Sequence, residues 1–297
     1  MIAPEAERNL GFFTEEEQMR LGTAVVAIAG AGGDGGELAL SLARLGIGAQ
    51  GGEIRLADPD TFERENINRQ ACCTTRTVGM NKAVAVAEYI REINPDIKVT
   101  TYTEGITREN TESFVAGSDL LVDETEFTMH AIGIALARTA RHHNVPNLQV
   151  INVGFGAQVT SYDAQGKYTM ERRLGVPETM PLGEVAEQGI PVTRWLAELP
   201  SYGDLGVFEK VAKGEKSAPS VVTGVNIAAG IASVQAILHL LGPGNHRPEP
   251  VYAPQVLSVD AMTGKAHHIR FPRLRVMVSM AGMALRSKLG LNPRAGY

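Results

Sequence analysis

Three groups of residues have the types and spacing to do chemistry together. The first is a glycine-dense turn, Gly30-Ala31-Gly32-Gly33-Asp34-Gly35-Gly36, with a GxGxxG match at Gly30, Gly32 and Gly35. Glycine lets the backbone approach a pyrophosphate with no Cβ in the way, and a helix opening on such a turn directs its N–H groups at the anion. The second is Asp58, at the end of the alternating run 53–57, where an acid can hydrogen-bond a ribose hydroxyl. These two features allow either a dinucleotide or ATP. The third group separates them: Asp60, then the run from Glu65 to Gln70 with Asn66 and Arg69, then Lys82. A nicotinamide cofactor does not need these cations. Charge developing on a nucleotide phosphate does, because positioned Arg and Lys groups in a partly dry site stabilise it without reorganising.

Asp123-Glu124-Thr125-Glu126 places three carboxylates in a short stretch that should fall at the same sheet edge as the glycine turn. Two of them could face an Mg²⁺ that bridges phosphates. The alternative is an acidic start to the following helix, where the dipole favours acids in any case.

The elements that would position these groups follow from the apolar pattern. Residues 24–29 form a strand-length apolar run, and the helix after the glycine turn carries Leu38, Leu40, Leu42, Ala43 and Leu45. Further strands are expected at 53–57, 97–102 and 119–123, with helices from Lys82 to about Ile93, at 111–116 and at 128–142. Strands separated by helices predict an α/β fold, a Rossmann-like, doubly wound, mainly parallel sheet with its ligand at the strands' carboxyl ends. Residues 150–156 and 157–162 read as further strands, with 163–166 as a hairpin turn before 167–169. From 171 to 216 the periodicity weakens among prolines and glycines, which predicts a long crossover with short helices, the segment most suited to motion or to a partner. The pair 256–260 and 267–271 predicts an antiparallel C-terminal extension, and 274–289 a packing helix. His267 and His268, adjacent on a strand, point to opposite faces and make a poor metal site.

Ahead of the sheet, Thr14 with Glu17 three residues on is a capping box that opens a helix through Leu21. The chain therefore divides into an N-terminal arm and helix (1–22), a nucleotide-binding half (23–165), and a crossover, interface helix and closing strands (166–297) of the same domain. The apolar run 221–241 is long enough to span a bilayer. Thr223, Asn226, Ser233, Gln235 and His239 interrupt it, and no basic flank orients it, so a buried core or dimer-interface helix is expected, with no membrane span.

The 297 residues are 44% hydrophobic and 21% charged, a globular composition, and a net charge of −5 gives no reason to expect nucleic acid. The only cysteines, Cys72 and Cys73, are adjacent, which excludes a stapled framework and any CxxC zinc pair, so no zinc is expected. They read as small buried hydrophobes; the alternative is a thiol activated by Arg69 beside them. The N-terminus lacks the pattern of a signal peptide, and with the cysteine usage this predicts a reducing, cytoplasmic setting.

With these residues assembled, the chain resembles the ThiF/MoeB/HesA adenylyltransferases, bacterial relatives of ubiquitin-activating enzymes. The likeness rests on GAGGDGG at 30–36, LARLGIG at 42–48, ADPDTFERENINRQ at 57–70, VGMNKA at 78–83 and RNLGFFTEEEQMRL at 8–21. It implies that Asp58 holds the ribose, that Asn66, Arg69, Gln70 and Lys82 surround the ATP phosphates, and that Arg8 reaches the nucleotide of a partner subunit in a homodimer. It also implies a reaction, in which a carboxylate, often the C-terminus of a small ubiquitin-like protein, attacks the α-phosphorus of ATP. Arg69, Lys82, Arg8 and Gln70 would be catalytic, Gly30, Gly32, Gly33, Gly35, Asp58, Asp60, Asn66, Arg69 and Lys82 would hold the nucleotide, and Glu126 and Asp123 would hold Mg²⁺. Glu126 stands where the family usually has Asp, and 171–216 contains no cysteine for a thioester. An NAD-dependent oxidoreductase is the alternative enzyme class, and a non-catalytic nucleotide-binding scaffold the alternative outside catalysis.

Overall fold

The computed structural model describes residues 4–244, 247–270 and 272–288. Strand β1 (Val25–Ala29) is followed by helix α2 (Gly33–Arg44), β2 (Glu53–Ala57), α3 (Lys82–Ile93), β3 (Lys98–Tyr102), the short α4 (Thr111–Val115), β4 (Leu120–Asp123) and α5 (His130–His142). Ahead of them α1 (Glu15–Thr23) opens on the Thr14–Glu17 capping box that the sequence predicts. Then come β5 (Asn147–Val153) and β6 (Gly156–Tyr162), the short helices α6 (Met170–Leu174), α7 (Leu182–Glu187) and α8 (Leu205–Ala212), the long α9 (Val222–Leu241), β7 (Val256–Asp260), β8 (Lys265–Ile269) and α10 (Pro272–Lys288).

All eight strands form one sheet in the order β3-β2-β1-β4-β5-β6-β7-β8. The first five are parallel and the last three add antiparallel, as the sequence predicts. Alternation assigns the faces. Val26 and Ile28 of β1 pack with Leu38, Leu42, Val86, Ile90 and Ala228, from α2, α3 and α9. Ala27 and Ala29 pack with Phe114, Leu136 and Ala140, from α4 and α5 on the other side. Both faces are covered, which is why the parallel strands read as unbroken apolar runs. Helix α9 has the length and hydropathy of a membrane span, yet Ala228, Ala229, Ala232, Ala236 and Leu240 are buried in the core under it.

Two local expectations are corrected. The hairpin joins β5 to β6 at Gly154 and Phe155, where Gly154 takes a φ of 62°. The turn at 163–166 forms, but no strand follows it: the Thr169 hydroxyl accepts the Arg172 N–H and caps α6 instead. The helix expected from 128 begins as a 3₁₀ turn at Phe127–Met129 and becomes α-helical only at His130. Phe271 and Leu289, the expected last residues of the closing strand and the C-terminal helix, lie outside the described residues.

Helix α6 is fastened to α5 by a fully buried acid. Both oxygens of Glu171 accept from the Arg141 guanidinium, at 2.6 and 2.9 Å, and Arg138 Nε adds a third bond at 3.1 Å. Burial would raise this carboxyl, but the bonds from Arg141 and Arg138 hold it below its ordinary range. Replacing Glu171 with Gln leaves two guanidiniums short of a counter-charge. Urea denaturation should show a loss of roughly 3 kcal/mol, the scale of removing one partner from a buried pair.

Candidate active site

The carboxyl ends of β1, β2 and β4 carry the glycine turn, Asp58 and the acidic segment 123–126 respectively, so the parallel sheet brings the three groups to one edge. The turn must be glycine. At Gly30, φ is 109° and a Cβ would meet the Glu124 carbonyl oxygen at 2.5 Å; at Gly35 it would meet the Gly30 carbonyl oxygen at 1.9 Å. Gly32 is the N-cap of α2 and offers no side-chain bond, so the first-turn N–H groups of the helix are left for an anion.

Asp58 is buried and engages both strands. Its Oδ2 accepts the Ala31 N–H at 2.7 Å and its Oδ1 the Asp60 N–H at 2.9 Å. Burial raises its carboxyl, and these two backbone donors together with Lys82 oppose the rise. Lys82 opens α3, and its Nζ lies 2.9 Å from Asp60 Oδ2. Asn81, the N-cap of α3, was not singled out from the sequence. Its Nδ2 donates to the Asp58 carbonyl at 2.8 Å, and its Oδ1 accepts from Val84 N–H.

The segment 64–70 closes over the turn. Asn66 is buried and its Oδ1 accepts the Glu63 N–H, so its first role is to hold a 3₁₀ turn at Arg64–Asn68. Gln70 lies against Gly32, where an added methyl would stand 3.7 Å from its Nε2, and its buried Oε1 has no partner among the described residues. The Arg69 guanidinium donates to the Glu65 carbonyl at 3.0 Å and to Asn68 Oδ1 at 2.9 Å. The uncapped first turn of α2, with Gln70 against it and Lys82 and Arg69 on the neighbouring segment, could hold a nucleoside triphosphate.

The acids at the end of β4 differ in kind. Asp123 is buried; its Oδ1 accepts both the N–H and the hydroxyl of Thr125, and its Oδ2 faces Gly133 on α5. Glu126 is exposed and begins the 3₁₀ turn, so of the two it has the freer carboxylate. Mg²⁺ prefers such accessible oxygen donors, and Glu126 is able to hold it without unmaking a bond. Arg8 lies elsewhere. It belongs to the 3₁₀ segment Pro4–Asn9, whose Asn9 Nδ2 donates to Gln18 and to the carbonyl of Leu45 at the far end of α2. The helix's 12 residues separate it from the glycine turn by about 18 Å within one chain.

Cys72 and Cys73 are both buried in the main core. Burial pushes the Cys72 thiol up to about 12 and raises that of Cys73 despite the nearby Lys82 and Arg69. The packing reading holds, and an activated thiol is not supported at either position.

An inner layer of acid was not legible in the sequence. Asp34, in the first turn of α2, is buried, and its Oδ2 accepts the backbone N–H of Asn152 at 3.0 Å and its Nδ2 at 2.7 Å. Asn152 Oδ1 in turn accepts the Ser220 hydroxyl at 2.9 Å, tying the residues just ahead of α9 to the turn. Glu124 accepts from Val150 N–H, and burial first, then Asp34 and Asp123, raise its carboxyl well above the ordinary range. Burial likewise raises Asp34, to about 6, against its bonds from Asn152. A carboxyl raised on folding binds protons more tightly in the native state, so its contribution to stability falls as pH rises from about 4 through about 6. Asp34→Asn should flatten that dependence, and pH 8 denaturation of the variant should gain up to about 3 kcal/mol, the equivalent of the shift.

The comparisons agree with this geometry. The family model described as "ThiF family" matches residues 6–276. The adenylyltransferase and sulfurtransferase uba4 of Pyricularia oryzae is 41% identical over 109 residues, 37% of this chain and 21% of that protein. The SAMP-activating enzyme E1 of Haloferax volcanii is 36% identical over 111 residues, 37% of this chain and 40% of that protein. The chain thus covers less than half the length of either. In three dimensions, the crystal structure of E. coli MccB with ATP superposes with a TM-score of 0.67 at 19% identity, covering 91% of this chain and 72% of that one, which bears out the fold. Since the family model takes in the glycine turn, Asp58, the Asn66–Gln70 segment, Lys82 and the closing strands together, the chain belongs to the ThiF family.

Proposed function

We propose that this protein is an ATP-dependent adenylyltransferase that activates the C-terminal carboxylate of a small protein or peptide as an acyl adenylate. The observation that carries the reading is the Asp58 junction, which holds the open N-terminus of α2 against the segment bearing Lys82, with Gln70 over the turn. Relatives named adenylyltransferase and SAMP-activating enzyme support it.

In this reading a substrate carboxylate oxygen bonds to the α-phosphorus while the α–β bridging bond breaks and pyrophosphate leaves. The carboxylate is already ionised near pH 7, so no general base is required. Lys82 and Arg69 release their present partners, Asp60 and Asn68, to meet the developing phosphate charge, and Gln70 fixes phosphate orientation. When bound, Mg²⁺ would neutralise phosphate charge, held by Glu126 with Asp60 or Asp123 assisting. We assign the substrate's tail to a cavity of about 210 Å³ lined by Val153, Gln158, Ser201, Asp260 and Lys265, beside the end of β5 and under the crossover. Tyr202 of the crossover roofs that end, its hydroxyl accepting the Phe155 N–H at 2.8 Å.

The test is exchange of labelled pyrophosphate into ATP, with peptides that end in a free glycine carboxylate as the probe. Exchange that requires both peptide and Mg²⁺ is expected, and Arg69→Ala and Lys82→Ala should each lose about 10²-fold or more while melting like the wild type. Tight NADH binding without exchange, or full exchange in both variants, would overturn the reading.

We also propose a homodimer in which Arg8 serves the partner's site, because Arg8 is exposed and remote from its own. Mixing Arg8→Ala with Lys82→Ala chains should restore exchange to about a quarter of wild type if the two chains exchange freely, whereas sites complete in one chain would recover nothing.

A further inference from the structure

The lack of CxxC pairs removes cysteine-ligated zinc from expectation, but the fold gathers a different donor set at the opposite edge of the sheet. Glu112 lies on α4, His142 ends α5, and His143 is the C-cap of that helix. Each offers one ligand atom, and the three atoms all lie within 4.8 Å of one another. His143 Nε2 is 2.5 Å from Glu112 Oε1, and the two imidazole rings meet edge to face with centroids 5.1 Å apart.

We propose that Glu112, His142 and His143 bind one zinc ion, with water completing a tetrahedral set. Two imidazole nitrogens and a carboxylate oxygen are ligands that Zn²⁺ accepts, and its bond lengths of about 2.0–2.2 Å place tetrahedral ligands about 3.3 Å apart. The atoms are already within side-chain reach of that spacing, and Glu112 and His142 are exposed enough to make the adjustment.

The end of α5 supplies a second reason. Neighbouring residues in a helix normally point apart, so two adjacent histidines rarely converge. Here the helix ends at His142, and His143 stands at φ −90° and ψ 5°, followed by Asn144 in the left-handed region at φ 56°. At this exit the two rings nevertheless meet edge to face. The same exit leaves the last carbonyls of α5 beside the cluster, where the helix dipole favours a cation.

The position assigns a structural role. Helix α4 leads into the start of β4, and α5 ends just before the start of β5, whereas the nucleotide groups sit at the carboxyl ends of the strands. A metal here would fasten two helices on one face of the sheet and touch none of the adenylation residues.

The experiment uses Co²⁺ as the spectroscopic probe and Zn²⁺ as competitor, on the full-length protein freed of metal with EDTA. The expected result is one equivalent of Co²⁺ with tetrahedral visible absorption bands, bleached by Zn²⁺, and a Zn²⁺-dependent rise in melting temperature. His142→Ala and Glu112→Gln, both at exposed positions, should melt like wild type in EDTA. Each should weaken Co²⁺ binding at least about tenfold, the least that disturbing a metal's ligand shells costs. Pyrophosphate exchange should not change in either, since the site is remote. No visible bands and no thermal response in the wild type would overturn the proposal, as would equal binding in wild type and His142→Ala.

Discussion

A carboxylate that accepts two backbone N–H groups fixes the distance between the segments that supply them, and Asp58 does this for the whole nucleotide edge. Ala31 follows β1, and Asp60 leads to the Arg69 and Lys82 segment; one side chain bonds to both. An amide there would present N–H groups to one of the two donors and leave it buried without an acceptor. The rest of the edge depends on this clasp. Asn81 binds the carbonyl of the same Asp58 while capping α3, so the helix that carries Lys82 starts from the same anchor. Gly30 donates to the Ala57 carbonyl at 2.8 Å just before it, which closes the turn against β2.

Much of the fold was legible because it follows from local pattern. The Thr14 capping box, the strand-to-helix glycine turn and the alternation of β2 each report on residues a few positions apart. The apolar run of β1 reads as a strand, but its two faces cannot be told apart when both are covered, so Val26 and Ala27 looked alike until the helices were placed. The hairpin was misplaced for a related reason. Asp163 to Gly166 has turn composition, whereas the true connection at Gly154 and Phe155 is fixed by Tyr202 and Gly224, which come from distant parts of the chain.

The site divides in the same way. Gly30, Asp58 and Lys82 stand out because residue type and spacing carry their roles. Asp34, Asn152 and Ser220 do not, since they form one bonded chain across sequence separations of 118 and 68 residues. Asp34 looked like one more polar residue in a turn, and only β5 and the start of α9 show what it holds. Cys72 and Cys73 illustrate the reverse. Lying close to Arg69 in sequence suggested an activated thiol, but burial in the core outweighs a partly exposed cation that already has two acceptors of its own.

Burial also bears on the acids that lie beside the proposed anion site. Asp34, Asp123 and Glu124 lie behind the turn proposed to accept phosphate, and charge on them would oppose a phosphate there. Their carboxyls are all raised, with burial the first cause in each, and the close approach of Asp34 and Asp123 adds to the rise at Glu124. At that depth Asp34 acts as a tether, its Oδ2 accepting both bonds from Asn152. At the rim, Lys82 pairs with the exposed Asp60, and Arg69 with the Glu65 carbonyl and Asn68 Oδ1, partners that a phosphate can displace. Depth thus sorts the polar groups into an inner layer that holds shape and an outer layer that can respond to the nucleotide. The glycine turn is the boundary between them, and it needs both to be more than a tight turn.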